Sequence, residues 1–592
     1  MKPSQRWSAP DGRSRGSLDL TPPMSETLGS AAARAGCVVS VSHSRLPRGS
    51  CSGSGVLLSR DPPGGVVLCP GILFSPFLLE SERPDWSRGK VLLSDRFFPG
   101  LRIQVLQTNG SSSNSSRPAA RSTCLAGDLG GNNKPGLRFN PLSNRPRPRH
   151  GGRTCEAQLL MVAACPPFQE AFSKIFSASD RWHFGGNDFE QEVANSSEHE
   201  DWHALHWFAL LRILEPADSL GASGVSCVPA GSLRKGDTVF ACGSPFGSLC
   251  PEIFMNTLSK GIVSNLAGAS NALVLIDARC LPGTEGGGVF VLSGMGPRLV
   301  GIIVAPLCWK STEWVGLTLV CAVDSILESV AGVLSRSRGF LKPSLLPTEL
   351  VTKSPAAVVL RNGLDRHLLD AVVLVECGPT WGSGVMISSR LLLTCRHVVG
   401  GASNVRIRFL TSPNRDSVVK GNVVFATKDS SPYDIALVEL EEGLSTLPDL
   451  PLASTFHPGE DVSIVSFGVF GQACGPSVTS GILSAVITVE DKPVMLQATS
   501  AVHGGSSGGA LFGTHSGKLL GIVASNTRDN SVGVTYPHLN FSIPITVLWS
   551  AILEYIHHGS LQGFQELDEV GGRIQVVWRL QREPVEMPLS KL

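Results

Sequence analysis

The chain has 592 residues and a net charge of +1, with 50 Lys and Arg set against 49 Asp and Glu. That length exceeds what one hydrophobic core sustains, so two or more domains are expected. The dispersed charge removes any electrostatic case for nucleic acid despite a basic stretch at residues 145–153, and apolar runs such as 371–375 are too short to cross a bilayer.

Short Val/Ile/Leu runs separated by 64 Gly and 40 Pro predict turn-rich β structure. Residues 1–36 are rich in Ser, Arg and Pro and lack an apolar segment, so they read as a disordered extension without a signal peptide, better patterned from Met24. A first domain is expected over 37–337, opening with Gly53-Ser54-Gly55-Val56. It is interrupted by a low-complexity insert at 108–155 and an acidic polar surface insert at 179–202. The second insert runs into His199-Glu200-Asp201-Trp202-His203, which fits H-E-x-x-H. Its polar, acidic surroundings are wrong for a zinc helix, and no metal is expected. The 15 cysteines are scattered with no C-x-x-C pair, which favours buried free thiols in a reducing or non-secretory compartment over one or two disulfides.

Internal similarity appears next. Asn256-Thr-Leu-Ser-Lys-Gly261-Ile-Val-Ser264 resembles Ser477-Val-Thr-Ser-Gly481-Ile-Leu-Ser484. Leu281-Pro-Gly283-Thr-Glu285-Gly-Gly parallels His503-Gly-Gly505-Ser-Ser507-Gly-Gly, and Leu299-Val-Gly301-Ile parallels Leu519-Leu-Gly521-Ile. The offsets at Gly481, Ser507 and Gly521 are 220, 222 and 220 (481 − 261, 507 − 285, 521 − 301), which chance does not produce. Gly382-Ser383-Gly384-Val385 echoes residues 53–56, and Asp434-Ile-Ala-Leu-Val438 echoes Trp207-Phe-Ala-Leu-Leu211. The chain is therefore a duplication. A linker is expected at 338–366, a second domain at 367–560 with a closing helix over 545–556, and a tail at 561–592.

The second copy carries chemistry. His397 follows a strand-like Leu391-Leu-Leu-Thr394, Asp434 opens the run 435–440, and Ser507 sits in Gly504-Gly505-Ser506-Ser507-Gly508-Gly509. A serine hydroxyl needs an imidazole to take its proton, and the imidazole needs a carboxylate to fix its tautomer. His, Asp, Ser is the chain order of chymotrypsin-like proteases, and Gly-x-Ser-Gly-Gly fits Ser507 but not Ser506. The N–H groups of Gly505 and Ser507 are the expected oxyanion donors. In the first copy Ser507 faces Glu285, Asp434 faces Trp207 and His397 falls near Gly71, so that copy is expected to be catalytically dead. The expected fold class is all-β dominated: two tandem chymotrypsin-like double β-barrel domains, the first degenerate, with a C-terminal helix.

Against the trypsin-like pattern two residues depart. Ser506 stands where zymogens keep an Asp that pairs with a freed amino terminus, so activation by that insertion is not expected. Ala501, six residues before Ser507, stands at the base of the pocket for the substrate's P1 side chain, with Val523, Ala524 and Ser525 along its wall, which favours a small or apolar P1.

The ending Ser590-Lys591-Leu592 is a type 1 peroxisomal targeting signal, implying the peroxisomal import receptor as a partner and the peroxisomal matrix as destination. Together with residues 306–310, 381–385, 475–485, 501–530 and 536–545, these features resemble the peroxisomal trypsin-domain leader-peptide processing proteases. The resemblance covers residues 31–592 and is weakest over 80–200. It implies a serine endoprotease without cofactors that removes leaders carrying the type 2 targeting signal and cleaves fatty-acid β-oxidation enzymes. It also implies self-cleavage, for which Cys124 is a candidate position, and self-association. Two alternatives stand beside this reading: a non-catalytic scaffold or chaperone using both protease-like domains, and an HtrA protease of secreted or periplasmic type. The second is disfavoured by the absence of a signal peptide and of a recognisable PDZ module.

Overall fold

The computed structural model describes residues 24–44, 50–59, 65–79, 90–108, 152–176, 182–184, 204–214, 225–246, 250–293, 296–306, 308–310, 313–336, 364–410, 417–444, 450–529 and 534–579. Four six-stranded rings carry the architecture, two per copy. The first runs Gly36–Ser42, Ser50–Ser59, Val66–Pro70, Trp207–Ile213, Gly152–Ala164 and Arg102–Thr108 around the ring, with Val91–Leu93 added outside. The third, Val372–Cys377, Thr380–Met386, Leu391–Thr394, Ala436–Leu440, Ser417–Ala426 and Asn404–Phe409, repeats its connectivity.

The second ring, Thr238–Gly243, Thr257–Ala267, Leu273–Ile276, Thr318–Ala322, Gly296–Ala305 and Gly288–Ser293, is repeated in the same way by the fourth. That fourth ring comprises Asp461–Ser466, Ser477–Val489, Lys492–Ala498, Val534–Pro544, Leu519–Asp529 and Ala510–Gly513. The tandem double-barrel fold expected from the repeats is what the structure shows. Closing each sheet on itself removes the exposed edges that a flat sheet would leave unpaired.

Sequence alternation explains the strands. Arg102–Thr108 buries Ile103, Val105 and Gln107 and turns Arg102 and Thr108 out, the period-2 pattern of a half-buried strand. Val66–Pro70 is buried at all five positions because barrel core and flanking segments cover both faces. After the fourth ring, Ile545–His558 buries Ile545, Leu548, Ala551 and Ile552 at helical spacing, as expected.

Four regions differ from expectation. Met24–Ala35, expected to lie in a disordered extension, is a helix whose Leu28, Ala32 and Ala35 are buried in the first copy's core. Gly152–Ala164 begins inside the expected insert, with Cys155 fully buried, and Trp182–Phe184 inside the expected surface insert is a strand with Trp182 buried. The tail is folded over Gln562–Gln565 and Gly572–Trp578: Phe564 is fully buried, worth about 2–3 kcal/mol of transfer free energy, and Trp578 Nε1 donates to Val494 O at 3.1 Å.

The two copies form a continuous structure. Glu313–Trp314, Cys308–Lys310 and Trp182–Phe184 from the first copy extend the fourth ring's sheet, Glu313 lying opposite Thr535 in parallel. Across the same boundary, Lys235 Nζ donates to Cys474 O (2.6 Å) and Pro476 O (2.7 Å), and Asn265 Nδ2 donates to Ser477 Oγ (2.8 Å). No helix among the described residues is long and apolar enough to cross a membrane.

Candidate active site

Between the third and fourth rings lies a cleft of ≈ 620 Å³, lined by His397, Asp434, Gly505 and Ser507 among others. His397 stands on the one-turn helix Arg396–Val399 that follows Leu391–Thr394. Asp434 precedes Ala436–Leu440, the strand paired with Leu391–Thr394, so the pairing of Thr394 with Ala436 brings base and carboxylate together. His397 N donates to Asp434 Oδ1 at 3.1 Å, and a short hydrogen bond joins His397 Nδ1 to Asp434 Oδ2. Burial pushes the Asp434 carboxyl up, but the His397 side-chain hydrogen bond and charge, the His397 N–H and the Arg396 charge outweigh it. The net effect holds Asp434 below the ordinary carboxylate range. With Nδ1 directed at the carboxylate, Nε2 is left as the acceptor facing the cleft.

Cys395 is a neighbour of this pair. Its Sγ lies within 4.8 Å of the His397 and Asp434 ligand atoms, yet it donates to Val523 O at 3.3 Å. Burial pushes its thiol well above the ordinary range, so it is neutral and offers no thiolate to a metal or substrate.

The loop carrying Ser507 is fixed from behind by Ser383. Ser383 Oγ donates to Gly505 O and accepts from Phe467 N, both at 2.8 Å, while Ser383 N donates to Ser507 O at 2.9 Å. With their carbonyls held on that side, the N–H groups of Gly505 and Ser507 have no acceptor among the described residues and are available to an oxyanion. Gly505 has φ +90°, and a Cβ there would stand 2.1 Å from Trp381 Cζ3, so both backbone and indole demand glycine. Ser506 is buried, its hydroxyl accepting from Ser466 Oγ (3.0 Å) and from His503 N (3.3 Å). A neutral hydroxyl pair thus occupies the position before the nucleophile.

Of the expected pocket residues, Val523, Ala524 and Ser525 line the cleft. Ala501 is buried behind it, 2% exposed, and its neighbour Val502 is the lining residue. Beneath Ala501 sits His538, pushed down to about 4 by burial and the Arg279 charge, and so neutral. His503, Trp381 and Trp578 also line the cleft; in the sequence His503 and Trp381 stand only as members of matched segments with no site role, and Trp578 stands in none. His503 Nδ1 accepts from Val469 N at 2.9 Å, tying the segment before the nucleophile to the loop after Asp461–Ser466. Cys124, His199, His203 and Ser590, Lys591 and Leu592 lie outside the described residues. Every cysteine among the described residues is an unbridged thiol, and burial pushes Cys37, Cys242 and Cys308 up to about 12.

The family description "trypsin-like peptidase domain" matches residues 382–522. A Mus musculus protein named peroxisomal leader peptide-processing protease is 48% identical over 576 residues, spanning 95% of this chain and 98% of its own. Its Homo sapiens namesake is 46% identical over 582 residues, with the same coverage of both chains. The chain belongs to this family. It is a peroxisomal serine endopeptidase that acts on proteins. A more distant similarity, 28% over 188 residues, links 31% of the chain to 37% of the periplasmic serine endoprotease DegP of Salmonella typhimurium.

The same loop recurs in the first copy with other chemistry. Ser54 Oγ donates to Gly283 O (2.7 Å) and accepts from Ser244 N (2.8 Å), and Ser54 N donates to Glu285 O (3.0 Å), the three bonds of Ser383 repeated one for one. Gly283 N, the counterpart of Gly505 N, donates to Glu285 Oε2 at 2.6 Å. The side chain in the nucleophile's place therefore folds back and fills its own oxyanion cradle. Burial raises the Glu285 carboxyl, and the N–H groups of Glu285 and Gly283 pull it partly back. Pairing of Cys69 with Ala209, set against Thr394 with Ala436, puts Ile72 at the place of His397 and fully buried Trp207 at that of Asp434. Neither proton acceptor has a replacement there.

Proposed function

We propose that the cleft between the third and fourth rings is the proteolytic site, with Ser507 as nucleophile, His397 as base, Asp434 as its orienter, and the Gly505 and Ser507 N–H groups as oxyanion donors. The observation that carries this reading is that both Asp434 oxygens hold His397, in the same cleft as a serine whose loop leaves two N–H groups without an acceptor among the described residues. Ser507 Oγ attacks the scissile carbonyl while His397 Nε2 takes its proton, and the carbonyl oxygen's negative charge falls between the two N–H groups. His397 then gives the proton to the departing amine, and water, activated by the same imidazole, releases the acyl product. These groups complete the chemistry without a metal or cofactor. The Ser466–Ser506–His503 contacts support an oxyanion loop set without a freed amino terminus. The first copy, residues 37–337, is catalytically silent, because it offers a carboxylate and apolar groups where proton transfer needs a hydroxyl and an imidazole.

The substrates are leader peptides of imported matrix proteins carrying the type 2 targeting signal, and β-oxidation enzymes. The names of the mouse and human relatives support the leader-peptide part. Self-cleavage near Cys124, self-association and recognition of Ser590-Lys591-Leu592 by the import receptor belong to the same reading. The apolar Val502 and Val523 beside Ala524 support a small or apolar P1 residue. The test is to incubate wild type and Ser507→Ala with leader-bearing precursors and sequence the new N-termini. Ser507-dependent cleavage after small or apolar residues is expected. New termini absent from wild type would overturn the site, and basic P1 residues would overturn the pocket reading alone.

A further inference from the structure

One wall of the P1 pocket, facing Val523 and Ala524, is the stretch 499–503, of which Val502 and His503 line the cleft, and the silent copy contacts the strands that hold it. Thr479 Oγ1 donates to Ala501 O at 2.7 Å, Val502 N donates to Pro537 O at 3.0 Å, and Asn540 Nδ2 donates to Ser500 O at 2.7 Å. These bonds suspend the wall between the strands Ser477–Val489 and Val534–Pro544. The silent copy contacts both of those strands.

At the first strand the contact is made by Asp277. Its Oδ2 accepts from Ser480 N (2.6 Å) and Ser480 Oγ (2.7 Å), one residue beyond the threonine that holds the Ala501 carbonyl. Comparison of the copies shows why an aspartate stands there. In the active copy the equivalent position, 222 residues on, is Thr499, whose hydroxyl accepts from Ile482 N at 3.0 Å. In the silent copy Asp277 Oδ1 does the same for Ile262 N at 2.6 Å, and the extra oxygen reaches across to Ser480. Local need is met by a hydroxyl, so the carboxylate's second oxygen has its use between the copies.

At the second strand the contact is Gly316. Its φ is +73°, and a Cβ there would stand 3.1 Å from His538 Nε2 and 3.2 Å from both Ala501 Cβ and Pro537 Cγ. Trp314 meets His538 edge-on at 5.2 Å. A third route reaches the other end of the wall: Trp182 stacks on Phe470 (5.6 Å, 6° between planes), and Phe470 packs edge-on against His503 (5.9 Å).

We propose that the catalytically silent copy is a working part of the protease, in which Asp277 and the turn at Gly316 act as positioning elements for the P1 wall. This rests on the reading of the cleft as the proteolytic site. Neither residue touches substrate, so their loss changes which side chains the wall admits without disabling Ser507. Full-length wild type, Asp277→Ala and Gly316→Val are compared in two ways. One is the rate at which a fluorophosphonate modifies Ser507; the other is kcat and KM for peptides differing only in having Ala, Leu or Phe at P1. Expected in both variants is labelling within about threefold of wild type, KM raised about tenfold for the preferred peptide, and P1 discrimination narrowed by about fivefold or more. Should either variant fail to fold, Ser480→Ala, which removes one of the two Ser480 bonds, and Gly316→Ala give the same test in milder form. An unchanged P1 ratio overturns the proposal, as does a fall of all peptides in proportion to labelling. Wild type that does not label at Ser507 refutes the site itself, a distinguishable failure.

Discussion

Ser383→Ala separates positioning from packing, because the molecule contains its own control. Ser383 is fully buried, and its hydroxyl bonds two backbone groups, Phe467 N–H and Gly505 C=O. Alanine leaves both unpaired. A buried unsatisfied group costs about 1–3 kcal/mol; Phe467 is fully buried and Gly505 only partly, so a loss of about 2–4 kcal/mol in stability is expected. The Ser383 main chain still holds Ser507 O, and Thr394 Oγ1 still donates to Ser383 O at 2.7 Å, so the nucleophile stays near its place. What loosens is Gly505, one of two oxyanion donors. Removing such a donor altogether lowers kcat by about 10²–10³, so displacing it should cost about 10–100-fold with little change in KM. Ser54→Ala deletes the same two bonds in the silent copy, to Ser244 N and Gly283 O. It should cost the same stability and leave kcat within about twofold. Urea unfolding of each variant, together with kcat on a leader-bearing peptide, reads both quantities. The reasoning fails if Ser54→Ala slows turnover as much as Ser383→Ala. It also fails if Ser383→Ala loses the expected stability with kcat intact.

Gly505→Ala places a Cβ 2.1 Å from the Trp381 ring at φ +90°, so kcat should fall about 10²–10³-fold with the protein still folded, measured by turnover beside circular dichroism. Asp434→Asn offers His397 Nδ1–H a donor instead of an acceptor, and kcat near neutral pH should fall by about 10⁴ with KM nearly unchanged. Because the folded state holds Asp434 below the ordinary carboxylate range, its contribution to stability is present above that range and is lost as pH falls through its folded value; Asp434→Asn should flatten urea midpoints there. Glu285→Gln tests the opposite sign. Burial raises that carboxyl in the folded protein, so its contribution is fully present below the ordinary carboxylate range and lost as pH rises through the raised value. Glutamine keeps an acceptor for Gly283 N and should weaken the decline of urea midpoints with rising pH, leaving the part due to Asp277 and Asp324, which burial also raises. A steeper decline in the variant would refute that account.

The proposed catalytic constellation was legible because its signals are local. Residues 504–509 mark the proposed nucleophile and its glycines, and the runs 391–394 and 435–440 beside His397 and Asp434 mark its proposed partners. The duplication was legible through near-constant offsets, and with it the four rings. What failed to show depends on contacts between segments distant in sequence. Met24–Ala35 is rich in Ala and Ser, and only docking of Leu28, Ala32 and Ala35 distinguishes it from a tail. Trp182–Phe184, Cys308–Lys310 and Glu313–Trp314 are three, three and two residues long, too short for any periodicity, and exist because the Thr535 end of Val534–Pro544, beyond the ring-closing pairs at 540–542, supplies the first of their partners. Ala501 was placed by counting back from Ser507; counting gives a position along the chain but not the side of the wall it faces, and Val502 takes the lining place.

On the proposed reading, the silent copy shows how a catalytic site is lost without loss of its scaffold. All three Ser54 bonds survive, and the loop keeps the shape that in the other copy presents an oxyanion cradle. An empty cradle of N–H groups would have to be kept hydrated or filled, since buried donors without acceptors are costly. Glu285 fills it with its own carboxylate, and Trp207 and Ile72 fill the space of the acid and base with apolar volume joined to the barrel core. Each replacement satisfies locally the physical need that catalysis formerly met with substrate or partner side chains. Freed from substrate, the copy keeps side chains that local need does not explain, among them the second oxygen of Asp277, and that oxygen is bonded to the active copy. Selection on the silent half is therefore expected to act where it touches the P1 wall, and a deletion of residues 37–337 should damage specificity before it damages the reactivity of Ser507.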